Sequence, residues 1–434
     1  MTLLRERVRA ALRPAGAAAP APALPSSATP LDVILGASWF DTDDGPALAR
    51  DEWYPADYEH GRFPIGGAFS RPEALAALAD GSPPERPAFL DIETTGLAGG
   101  SGTYAFLVGV GVRRDEGFRL RQYFLAGPGH EAAMLRLLAR DLRECDALIT
   151  FNGRAFDVPV LESRFALNRM TSPLDRLAHL DLLHPARHVY RFRVDSHRLV
   201  ELEEGLLRFS RDDDVPGWVI PQLYFEYVRA GRAAPLRLVF RHNRWDVLAM
   251  ASLLAGLAAT VAGETDDPRE RLGLAGWHER KGNRIRAAEV YAGALPELPF
   301  PERAHALRRL ALLLRRGRRW DEAAALWREL AAAGDRDALI EVAKHLEHRE
   351  RDYASALAAC ELAACTGDSA ELRHRMERLR RRLAGRQGTE RAEPWSPGER
   401  SNGQRHSWPV SDANGSNGAD SLSSEPCAAT AARA

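Results

Sequence analysis

The sequence predicts a mixed α/β domain followed by an all-α helical array. Between about residues 87 and 262, apolar strand-like runs alternate with stretches of helical period, in the order three strands, helix, strand, helix, then a further strand and helices. From about residue 270, small and large apolar positions recur with a period near 34 residues. Neither pattern extends to the ends of the chain, which are Ala/Pro-rich at the start and Ser/Gly/Asn-rich at the finish.

The chain has 434 residues, 45% hydrophobic, with a formal net charge of −1. That is length for two or three domains with well-buried cores. The charge balance demands neither nucleic acid nor membrane, so any basic binding surface must be local. Cys145, Cys360, Cys365 and Cys427 show no zinc spacing and no paired framework, which suits reduced thiols. No uninterrupted apolar run approaches the ~18 residues of a membrane span, and the N-terminus offers no signal-peptide core. A cytoplasmic protein without membrane association is expected.

Residues 1–30, including the Ala/Pro run 13–30, are expected as a disordered linker, and 31–86 as a lead segment with no chemical motif. Strands are expected at 88–93, 103–112 and 118–125, then a helix at 130–144 with an apolar stripe of Met134, Leu135, Leu138 and Leu142. The strand ALITF (147–151) precedes a helix from about Ala155 to Asn168, and HLDLL (179–183) is a further short strand. Helices centred near 200 and 225 lead to a long amphipathic one over Leu236–Ala262. The domain is thus bounded at 87–262.

Three stretches carry acids where apolar residues are the rule. In FLDIETTG, Asp91 and Glu93 share one face of a strand. Two like charges side by side cost several kcal/mol each to desolvate unless a cation lies between them; a strand end pointing at water is the lesser alternative. In FNGRAFD, Asp157 lies in the first turns of a helix, where an acid also serves as a cap or dipole partner. In HNRWD, His242 and Asp246 are four apart; that advances about 400° around a helix and puts both on one face. A surface ion pair has the same spacing.

Taken together and in this order, DIETTG, FNGRAFD and HNRWD resemble the three motifs of the DEDD 3′–5′ exonuclease superfamily, on a ribonuclease-H-like fold. More narrowly, LAGGSGTYAFLVG, HLDLLHPAR and DDDVPGWVIPQLYFEY are similar to the YprB-like bacterial members. The likeness spans roughly residues 31–262. It implies a metal-binding set of Asp91, Glu93, Asp157 and Asp246, with His242 at the position of the general base. The superfamily uses either Tyr with three residues before the last Asp or His with four; here a His has the tyrosine spacing. Asp181 is an extra acid, read as structural. Asn152, Gly96 and the glycines at 99, 100 and 102 either admit a nucleic-acid backbone or make turns.

The residue types suit phosphodiester hydrolysis. Two Mg²⁺ or Mn²⁺ ions ~3.5–4 Å apart stabilise the attacking and leaving oxygens, and such hard ions select carboxylates. The expected function is a metal-dependent 3′–5′ exonuclease on single-stranded nucleic-acid ends. The alternative is a non-catalytic nucleic-acid-binding or scaffold protein acting through its helical repeats.

In the last third, KGNRIRAAEVYAGAL (281–295) aligns with RGRRWDEAAALWREL (316–330) at an offset of 35, and Trp320 of the latter with Tyr353 at an offset of 33. The pattern resembles tetratricopeptide helix pairs, expected over 266–384, a surface for a protein partner. Arg315, Arg316, Arg318 and Arg319, and Arg380 to Arg382, read as solvated helix faces, with phosphate binding as the alternative. Residues 385–434, with Trp395 and Trp408, are expected to be disordered.

Overall fold

A computed structural model describes residues 29–96, 102–114 and 117–385. The linker up to residue 28, the tail beyond 385 and the glycines at 99 and 100 lie outside the described residues. The strands are β1 (Ser38–Thr42), β2 (Gly45–Pro55), β3 (Glu59–His60), β4 (Phe63–Pro64), β5 (Pro87–Thr94), β6 (Ala105–Arg114), β7 (Gly117–Phe124), β8 (Ala147–Thr150) and β9 (Ala178–Asp181). All but β3 and β4 form one seven-stranded sheet, ordered β1-β2-β7-β6-β5-β8-β9. β5, β8 and β9 run parallel, and the other pairings are antiparallel.

The expected strands and helices between 87 and 262 are present within a few residues of their predicted ends. HLDLL is split: the strand stops at Asp181 and a helix starts at Leu183. The sheet also extends into the lead segment, since β2 pairs with β7 from Leu48 opposite Phe124 to Pro55 opposite Gly117.

The helices of this part are α1 (Leu31–Leu35), α2 (Pro72–Ala79), α3 (Glu131–Leu142), α4 (Asp157–Leu167), α5 (Leu183–Val189), α6 (Leu199–Leu202), α7 (Ile220–Ala230) and α8 (Leu236–Ala262). Strand alternation decides which side of the sheet each residue of β5 enters. Ala88, Leu90 and Ile92 join the core beneath α3 with Met134 and Leu138. Phe89 joins the opposite core with Val247 and Leu254 of α8. Asp91 and Glu93 share the parity of Phe89 and so face α8.

α8 corrects one expectation. By length and composition it is apolar enough to cross a membrane, but 83% of its most apolar window is buried within this protein. From residue 247 to 260 it is apolar all round because that stretch is buried on every side. It also lies close to β6, because Gly109 and Gly111 have no side chains: a Cβ on Gly109 would lie 2.3 Å from Asn243 Oδ1, and one on Gly111 2.7 Å from Val247 Cγ1.

The last third is a series of antiparallel helices: α9 (Pro268–Arg280), α10 (Arg284–Ala294), α11 (Glu302–Arg316), α12 (Trp320–Ala332), α13 (Arg336–His345), α14 (Tyr353–Thr366) and α15 (Ala370–Ala384). The aligned segments fall on α10, α12 and α14, the second members of successive pairs. Asp267, Asn283, Asp335, Asp352 and Ser369 each accept a backbone N–H at a helix start, satisfying donors that the helix leaves free. Tyr291, Leu310, Trp327 and Cys360 belong to one continuous core. The basic runs are largely ion-paired: Arg315 with Glu341, Arg319 with Glu322, Arg380 with Glu361 and Arg382 with Glu347.

Candidate metal centre

Three elements bring the predicted acids together. β5 supplies Asp91 and Glu93, the first turn of α4 supplies Asp157, and α8 supplies His242 and Asp246. Asp157 is buried, and its Oδ1 accepts the Ile92 backbone N–H at 3.1 Å, which ties the start of α4 to the strand between the two other acids. His242 Nε2 lies 3.3 Å from Asp246 Oδ2 and 4.0 Å from Glu93 Oε1. One ligand atom each from Glu93, His242 and Asp246 falls within 4.8 Å of the other two.

The electrostatics are those of crowded anions. Burial raises the Asp91 carboxyl well above the usual range, and the charges of Asp246, Glu93 and Asp157 push it further. Burial does the same to Glu93, with Asp246, Asp157 and Asp214 adding to it. Asp157 is pushed up to about 7, chiefly by burial, although its backbone hydrogen bonds oppose the shift. Buried carboxylates that repel one another hold protons unless cations replace them. An all-oxygen carboxylate set with a single imidazole fits hard divalent ions such as Mg²⁺ or Mn²⁺.

Around this cluster are groups that the motifs did not disclose. Arg211, in the loop after α6, is buried and holds Asp246 Oδ1 at 2.6 Å and Glu203 at 2.5 Å. Glu203 is itself fully buried, and its other oxygen lies 2.9 Å from His60 Nε2. Asp214, in the same loop, lies 2.8 Å from His242 Nδ1. In the neutral ring a carboxylate there fixes the imidazole tautomer: Nδ1 carries the hydrogen and donates it, which leaves the Nε2 lone pair on the side of Glu93 and Asp246. The charge of His242 is disfavoured by burial, but Asp246 and Asp214 outweigh this and raise its pKa. Asp214 is held below the ordinary carboxylate range despite burial, by His242 and Arg211.

Asn243 sits between the two α8 site residues and donates to Asp91 Oδ2 at 2.8 Å. Its own Oδ1 accepts from Gln122 Nε2 at 2.8 Å. Gly109, opposite Asp91 in the β5–β6 register, leaves the room that this amide occupies. Asp181 is engaged by the backbone N–H groups of Asn152, Arg154 and Leu183, a structural role that agrees with its sequence reading.

Residues 88–258 match the model of the RNase_H superfamily. The chain is also 31% identical over 378 residues to the uncharacterized protein YprB of Bacillus subtilis (strain 168), an alignment covering 81% of this chain and 89% of that one. With the seven-stranded mixed sheet, its flanking helices and the helical region behind them, the chain belongs to the YprB family, built on a ribonuclease-H superfamily domain.

Proposed function

We propose that this protein is a cytoplasmic, divalent-metal-dependent nuclease that removes nucleotides from single-stranded 3′ ends, with Asp91, Glu93, Asp157 and Asp246 as metal ligands and His242 as general base. One observation carries the reading: four carboxylates from three elements crowd one cleft, beside a histidine whose Nδ1 is held by a carboxylate. Two bound Mg²⁺ or Mn²⁺ ions would supply charge stabilisation to both oxygens of the scissile phosphodiester. His242 would take the proton of the attacking water at Nε2, and Asp214 would stabilise the imidazolium that results. Arg211 would hold Asp246 in place by neutralising its outer oxygen. The free thiols of Cys145, Cys360 and Cys365 support a reducing compartment. The helix pairs of the last third, read as tetratricopeptide-like, would present a surface to a protein partner.

One feature favours a second reading, a non-catalytic nucleic-acid-binding or scaffold protein. Arg211 already places one cation against Asp246. The test is incubation of purified protein with end-labelled single- and double-stranded DNA and RNA, in Mn²⁺ or in EDTA. The nuclease reading expects Mn²⁺-dependent shortening from the 3′ end, blocked by a 3′ cap. Intact substrate under every condition, with binding retained, would favour the scaffold.

A further inference from the structure

The sheet domain and the helical array meet where α9 packs across α5. The approach is close because Gly273 faces the α5 backbone: a Cβ there would lie 1.9 Å from the Val189 carbonyl oxygen. Beside this contact opens a cleft of about 370 Å³, lined from the sheet domain by His188, Arg191 and Phe192 and from the array by Arg280, His305 and Arg309. Its single acid, Glu279, is taken up by Arg309 and by the Tyr291 hydroxyl. Among the described residues, Arg191 makes a cation–π contact with Phe192 and no ion pair, and His305 makes a ring contact with the same Phe192 and lies within the field of Glu279. Arg280 and His188 have no acidic partner among the described residues. This differs from the arginine runs of the array, most of which face a carboxylate.

We propose that this cleft is a second nucleic-acid subsite, gripping backbone phosphates of the strand whose end occupies the carboxylate cluster; it rests on the nuclease reading for the identity of that strand. Burial and the neighbouring arginines hold the His188 and His305 pKa values below the ordinary histidine range, so the charge that phosphates require comes from Arg191 and Arg280, exposed and contributed one by each domain. The path is short. Asp181, whose charge acts on Asp157, also caps the start of α5, and His188 is in the last turn of that helix. Seven residues of helix span about 10 Å. At ~3.4 Å per stacked nucleotide, three nucleotides cover no more than this helix, so a trinucleotide held at the cluster stops short of the arginines and a longer strand reaches them.

The experiment compares the full-length chain with its Arg191→Glu/Arg280→Glu variant by fluorescence anisotropy, in EDTA, using a labelled trinucleotide and a labelled dodecanucleotide. Both side chains are exposed, and an unchanged melting temperature verifies the fold. Dodecanucleotide affinity should fall at least about tenfold and its log–log salt slope by about 1.4, two contacts at ~0.7 each for a single strand. Trinucleotide affinity and its Mn²⁺-dependent cleavage should be unchanged. Equal loss for both lengths, an unchanged dodecanucleotide affinity, or no wild-type binding of it in EDTA would overturn the subsite. Wild-type chain that binds through these arginines but cleaves nothing in Mn²⁺ would remove the nuclease reading and leave the subsite standing. Cleavage with variant-insensitive binding would do the reverse.

Discussion

The sheet cleft and the helical array handle charge in opposite ways. In the array, most ion pairs lie on the surface between one arginine and one carboxylate, as Arg303 with Glu329 and Arg328 with Glu350, while the buried Glu347 is matched by Arg375, Arg378 and Arg382. The surface pairs contribute roughly 0–1 kcal/mol each and oblige nothing else to bind. In the cleft, Asp91, Glu93, Asp157 and Asp246 are gathered in partial or full burial around one compensating guanidinium among the described residues, that of Arg211. Stability alone would not select that arrangement, because each acid costs free energy to desolvate and repels the next. The contrast separates charge that has been neutralised within the fold from charge that, on the proposed reading, is kept for a ligand.

The sharpest way to break this contrast is to remove one charge from the crowded side. Asp91→Asn should reduce Mn²⁺-dependent hydrolysis to background while raising the melting temperature measured in EDTA, since repulsion with Glu93, Asp157 and Asp246 is relieved. Hydrolysis at the wild-type rate would contradict the ligand assignment.

His242→Ala should lower the single-turnover rate by about 10²–10⁴-fold with metal binding retained. An unchanged rate and an unchanged acidic limb of the pH–rate profile would make His242 a packed ion-pair partner. Asp214→Asn should cost less, about 10–100-fold, as is usual when the partner that orients a functional side chain is removed. Its distinguishing readout is the acidic limb, which should shift to lower pH as the imidazolium loses its carboxylate. Superimposable pH profiles would show that Asp214 serves only the fold.

The smallest effect belongs to the array. Glu341→Gln, which removes the partner of Arg315, should destabilise by no more than about 1 kcal/mol in denaturant unfolding and leave hydrolysis of short oligonucleotides unchanged. A loss of several kcal/mol would erase the distinction between the two regions.

Much of the candidate site was legible because its acids interrupt strongly apolar or helical runs. Asp91 and Glu93 break a strand otherwise buried along its length, and His242 and Asp246 lie a turn apart on an apolar helix. Asp214 and Arg211 were not legible in the same way. They belong to RDDDV, a polar run that reads as solvated loop, and each meets its α8 partner across about thirty residues of chain. Asn243 and Gly109 could have been found from the alternating glycines of LVGVGV, which signal close approach to a helix, but the helix residue that would use the space has no local mark. The β2–β7 pairing was hidden because β2 carries Arg50, Asp51, Glu52 and Trp53 in succession, with no clean alternation. The helical array was easier, since its period repeats and its caps stand at the helix starts.

The most direct test of the central claim, that the cleft holds its carboxylates for cations, is the melting temperature as a function of pH with and without Mn²⁺. A carboxyl raised to about 7 in the folded state, as at Asp157, keeps its proton after the unfolded chain has lost it near pH 4. Its contribution to stability is therefore greatest at low pH and is lost as pH rises from about 4 to about 7; the raised pKa of His242 acts with the same sign. In EDTA the melting temperature should fall between pH 5 and 8. Saturating Mn²⁺ should restore it at pH 8, by about 2.7 kcal/mol at a hundredfold excess over the dissociation constant, and should fail to do so in Asp91→Asn/Asp246→Asn. A melting temperature flat across this range and indifferent to Mn²⁺ would contradict the claim.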